Sequence, residues 1–194
     1  MKLGARIALL GLAALTAWGT IASAPAERKA ARGTFASRLL GPFAPLAAAI
    51  EWSRFDAAAR VGDDGRAWKH ADRALMLAPE ESDGWTFLAH HAVYDRGSPR
   101  RTADPAERRR WVEIGLAILA RGEREARDPG PIAFKTGVVY ISLANQGDGE
   151  RALSITGREA WSLAADAFER AADAGEPVAA EAAELARAEA RSGG

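Results

Sequence analysis

His90 and His91 stand side by side, and Asp95 follows four residues after the second, within the stretch DGWTFLAHHAVYDRGSPRR that runs from Asp83 to Arg101. An imidazole and a carboxylate at i and i+4 of a helix can share a proton or a metal ion. Helical residues advance by about 100° each, so His90 and His91 fall on different faces and do not readily chelate one ion. A metal-dependent enzyme would instead combine His91 and Asp95 with His70, the one remaining histidine, on the preceding helix. The plainer reading makes His91 a helix-surface histidine hydrogen-bonded to a nearby carboxylate. Around the same segment Arg96, Arg100, Arg101, Arg108, Arg109 and Arg110 form a cationic cluster suited to an acidic peptide, a phosphate or an anionic lipid. Asp95, Asp104 and Glu107 offset part of it. No hydrolase elbow, phosphate loop, dinucleotide fingerprint or HExxH occurs in the sequence. Glu123-Arg124-Glu125 is more economically a solvated face than an acid–base pair. The expectation is a protein that is not an enzyme and takes no cofactor.

The elements that position these residues follow from composition. Lys+Arg and Asp+Glu each number 26 among the 194 residues, and this balance argues against a nucleic-acid partner. Cysteine is absent, which excludes disulfides, a thiolate nucleophile and a thiolate zinc site. Alanine is abundant and β-branched runs are scarce, as in an all-α fold.

Lys2 and Arg6 precede an uncharged run from Ile7 to Ala26, long enough at about twenty residues to cross a bilayer. Residues 1–26 therefore read as a transmembrane anchor or a signal peptide, with small-residue cleavage motifs at Ala22-Ser23-Ala24 and Ala24-Pro25-Ala26. A single retained span is favoured. Basic residues on both flanks leave the side of the body open. Residues 27–38 form a basic linker, 39–191 a helical domain and 192–194 a tail.

Within the body, Ala48, Trp52, Phe55 and Ala59 keep helical spacing. Helices are expected over about 66–78, ended by Pro79, and from a Ser82 cap to about Tyr94. Asp104-Pro105-Ala106-Glu107 starts the next, with Asp104 as cap and Glu107 reaching back. Further helices cover about 132–145, 158–174 and 178–191, with a glycine-rich loop over 147–157.

Parts of this pattern resemble the tetratricopeptide repeat, a unit of about 34 residues made of two antiparallel helices. Gly62, Ala67, Ala71, Ala74 and Pro79 match the turn and second helix of a repeat. Trp85, Leu88 and Ala89 open the next first helix in register, and Ala164, Phe168 and Ala171 repeat the second-helix spacing. The loop from Asp95 to Asp104, Trp111 and Gly122 depart from it. The resemblance implies a short α-solenoid of stacked hairpins with a groove lined by first helices, holding a peptide or helix of another protein. In that register Asp83, Thr86, His90, Val93 and Tyr94 face the groove, and Lys135, Val138, Ser142 and Asn145 form the matching stripe. Arg96, Arg100 and Arg101 would extend this surface from the inserted loop. The expected function is that of a membrane-tethered scaffold for protein–protein interaction. The alternative is a structural helical module of a membrane-associated assembly, without a groove.

Overall fold

The computed structural model describes residues 35–146 and 152–192, all helix, turn and loop with no strand among them. The apolar segment 7–26, most of the basic linker and much of the glycine-rich loop lie outside the described residues. The first elements are α1 (Phe35–Leu40), a 3-10 turn (Gly41–Phe43) and α2 (Ala44–Arg60). They are followed by α3 (Asp64–Leu77) and α4 (Ser82–His90), which continues as a π-helical turn over His91–Arg96. The remainder comprises α5 (Pro105–Glu125), α6 (Gly130–Ala144), α7 (Gly157–Asp173) and α8 (Ala179–Ser192). Residues 35–38, read as linker, are thus helical.

Local chemistry explains the boundaries. The Asp63 carboxylate accepts the Arg66 amide at the start of α3, and Asp104 accepts that of Ala106 ahead of Pro105. Glu107 does not close the expected capping box; its carboxylate accepts from the Trp111 indole instead. Thr156 and Glu159 form a complete box at α7. Ser82 is the first residue of α4 rather than its cap, and its hydroxyl donates to the Asp128 carbonyl in the α5–α6 connection.

Successive helices pack on one another: α2 on α3, α4 on α5, α6 on α7 and α7 on α8. Beyond these pairs, α4 also meets α6 and α5 meets α6. This packing is compatible with a helical-repeat solenoid. Small residues at the crossings set the spacing. Ala67, Ala71 and Ala74 of α3 are fully buried, as are Ala160, Ala164, Ala167 and Ala171 of α7. The bulk between them comes from Phe55, Trp85, Leu88, Leu119, Ile132 and Phe168, each almost wholly buried. Trp85 also donates its indole N–H to the Pro79 carbonyl at 2.8 Å, which joins the end of the α3 segment to α4.

Candidate interaction surface

At the C-terminal end of α4, His90 and Tyr94 stand one turn apart with ring centroids separated by 4.8 Å. Lys135 reaches across from α6. Its Nζ donates to His90 Nδ1 at 3.3 Å and lies 5.3 Å from the centre of the Tyr94 ring. The Tyr94 hydroxyl donates to Ser142 Oγ at 3.4 Å, and Ser142 donates in turn to the Val139 carbonyl. Residues from two non-adjacent helices thus form one contiguous polar and aromatic surface. His90 is exposed, while Tyr94, Lys135 and Ser142 are half-buried.

Partial burial shapes its electrostatics. Burial lowers the His90 pKa, and the neighbouring Lys135 charge lowers it further. Burial also lowers the Lys135 pKa. A lysine donates only, so the contact assigns His90 Nδ1 as the acceptor of a neutral imidazole. Lys135 has no carboxylate partner among the described residues. The surface therefore offers a partly desolvated cation beside an aromatic ring, an arrangement suited to a carboxylate that carries an apolar neighbour.

Other residues of the expected groove take different places. Asp83 and Asn145 are exposed at the two ends of the surface. Thr86 donates its hydroxyl to the Asp83 carbonyl. Val93 is a correction: it is buried in the main core, packed where Gly115 of α5 leaves room for it. The wide turn, with the Gly97 amide bonded to the Ala92 carbonyl, resets the helical phase here and carries Val93 off the stripe of Thr86 and His90. Val138 packs in the cluster around Phe168.

The arginine cluster divides as well. Arg96 is turned inward, pairs with Asp64 at 2.9 Å and lies over the Trp111 ring at 5.0 Å. This is an internal tie between α3, the π turn and α5, in place of the partner contact expected from the sequence. Arg109 donates to the Ala152 carbonyl. Arg100, Arg101 and Arg110 are exposed. Arg108 lines a cleft of about 320 Å³ together with Tyr94, Ser98, Pro99 and Ser142, next to the polar surface.

The trio His70, His91 and Asp95 does not assemble. His70 bonds to Glu51 at 2.6 Å, whereas His91 bonds to Asp95 at 3.0 Å, and among the described residues no three His, Asp or Glu side chains are arranged to hold a metal. His91 is buried, not on the surface, because Phe55 of α2 packs against its ring at 5.0 Å. Sequence reasoning missed Glu51. This buried carboxylate joins Arg54 and His70, with Arg73 at 4.0 Å, and so links α2 to α3. The hydrogen bond from His70 is the main cause of its lowered pKa. The signal was its spacing: Glu51 falls between Ala48 and Phe55 on the buried face of α2.

Compared with protein-family models, with curated proteins and with solved structures, the chain matches none. The described residues form stacked helices without a strand, a fold class that by itself fixes no function.

Proposed function

We propose that the protein is a membrane-tethered, tetratricopeptide-like scaffold that binds a segment of another protein across α4 and α6. One observation carries the reading: His90 and Tyr94 of one hairpin meet Lys135 and Ser142 of the next. A peptide laid across both would cover an aromatic ring, an ammonium that has no carboxylate partner among the described residues and two polar side chains. Such a small set of anchors on a rigid support is how helical-groove recognition concentrates its energy. The tether comes from the sequence of residues 7–26, since no helix among the described residues is long and apolar enough to cross a membrane.

The test is photocrosslinking in cells with a reactive side chain at Asn145, and a second series with the same group at Arg110 of α5. The reading expects a discrete protein adduct from position 145, absent from position 110 and lost when His90→Ala and Tyr94→Ala are combined. Adducts that persist in that double variant refute it. The alternative, a structural module, draws on the Tyr94–Ser142 bond, which satisfies the phenol within the fold; it expects no adduct at position 145.

A further inference from the structure

The N-terminal elements leave a run of large apolar side chains in solvent. Phe35 and Leu39 are 82% and 75% exposed on α1, Phe43 is 64% exposed at the end of the 3-10 turn, and Leu46 is 63% exposed at the start of α2. Leu40 and Ile50 are exposed as well. The spacing is regular on each element: i and i+4 on α1, then i, i+3 and i+7 from Phe43 through Leu46 to Ile50. The opposite side of α2 is buried through Ala44, Ala48 and Phe55. A monomer surface rarely carries so concentrated a set of large apolar groups without something to cover it.

Charge and chain position identify the cover. From Arg28 to Ile50 the sequence contains Arg28, Lys29, Arg32 and Arg38 and no acidic residue. Arg38 is exposed, between Phe35 and Leu39. Eight residues lie between Ala26, the end of the apolar segment, and Phe35, a span of at most about 30 Å when extended. A protein partner could cover apolar groups anywhere on the surface. A bilayer interface accounts for their occurrence here, beside a lipid-length segment, with an intervening chain in which Arg28, Lys29 and Arg32 outweigh the single carboxylate of Glu27.

We infer that the exposed face of α1 and the start of α2 lies in the membrane interface, with Phe35, Leu39, Phe43 and Leu46 among the acyl chains and Arg38 at anionic headgroups. This rests on the tether in the proposed function and adds to it. The helical body is held against the bilayer by its own first elements rather than hanging from a free linker.

The absence of cysteine makes a clean test possible. The full chain carries one cysteine at a time, Leu46→Cys or Leu15→Cys, labelled with an environment-sensitive fluorophore. It is reconstituted in phosphatidylcholine vesicles with and without phosphatidylglycerol. Lipids with a quencher near the headgroup should reduce emission from position 46 by about half, more than quenchers at the acyl terminus do, and more when anionic lipid is present. With the label at Leu39→Cys, adding Phe43→Glu and Leu46→Glu should abolish quenching; both sites face solvent, so the fold persists. Quenching at position 15 without quenching at position 46 overturns the inference and leaves the tether standing. Quenching at 46 with none at 15, or with residue 15 removed by processing, supports the docked face and overturns the tether. Quenching at neither site overturns both. A blue-shifted label at 46 that lipid quenchers do not reach, in a chain that elutes as a dimer, assigns the face to a second copy and overturns the inference.

Discussion

Gly137→Ala tests the closeness of α6 to α7, the packing that fixes where Lys135 and Ser142 stand. A Cβ at Gly137 would lie 2.5 Å from Cε1 and 2.7 Å from Cδ1 and Cζ of Phe168, where ordinary contact begins at 3.4 Å. The ring would have to retreat by about 1 Å in a close-packed interior. Phe168 is 1% exposed and lies 5.1 Å from the Phe134 ring, so it has little room to move. Overpacking of this kind costs about 1–3 kcal/mol. Replacing a mid-helix glycine by alanine returns about 1 kcal/mol of helix propensity. The expected net effect is a destabilisation of about 1 kcal/mol, read from urea unfolding of the full chain in detergent micelles by circular dichroism. Gly65→Ala is the control. A Cβ there meets only Asp63 at 3.8 Å, so the propensity gain should appear as stabilisation. Phe168→Leu relieves the clash, and in that background Gly137→Ala should become neutral or stabilising. A midpoint raised by Gly137→Ala as it is by Gly65→Ala, or a coupling energy under about 0.5 kcal/mol, refutes the packing described here.

Three further outcomes are expected. Glu51 has a lowered pKa, so its contribution to stability is present above the ordinary glutamate value and is lost as pH falls from about 4.3 through the folded value. Glu51→Gln should therefore destabilise by about 1–3 kcal/mol at neutral pH, and its gap to the unmodified protein should close below that window in urea titrations; a constant gap contradicts the assignment. His90 should titrate below the ordinary histidine value in imidazole NMR, and Lys135→Met should raise it part of the way, because burial, the larger cause, remains. Arg96→Ala should cost about 1–2 kcal/mol through loss of Asp64 and the Trp111 face, whereas Arg101→Ala should stay within about 0.5 kcal/mol; equal effects would return Arg96 to the surface cluster.

The sequence makes helix positions legible where the signals are local. Pro79, the Asp104-Pro105 start and the alanine spacing of α3 and α7 act within one or two turns, and the structure has helices there. What was not legible depends on residues far apart in the chain. Ser82 has the chemistry of a cap, but its hydroxyl bonds to a carbonyl 46 positions away. His91 looks like a surface residue until Phe55 is placed against it. Trp111 has no role in the repeat pattern, yet it stacks on Trp68 at 5.7 Å and receives Arg96. The π turn has no signature in local propensity. Within it Val93 packs into the space that Gly115 leaves, and the uniform helical phase that puts Val93 on the groove stripe ends there.

The two adjacent histidines show what that turn achieves. His91 points back to α2, where it meets Phe55, and Arg96 extends the same connection to Asp64 at the start of α3. His90 and Tyr94 point forward to Lys135 and Ser142 of α6. The His91–Phe55 contact is buried and the Arg96–Asp64 pair half-buried, whereas the forward contacts run from half-buried Tyr94, Lys135 and Ser142 to exposed His90. Burial strengthens packing and the cost of disturbing it, while partial exposure leaves polar groups available to a ligand. The end of α4 thus assigns neighbouring residues to different tasks, with His91 and Arg96 holding the stack together and His90 and Tyr94 left at its surface. The short spacing that suggested a catalytic cluster is the spacing a joint between hairpins requires.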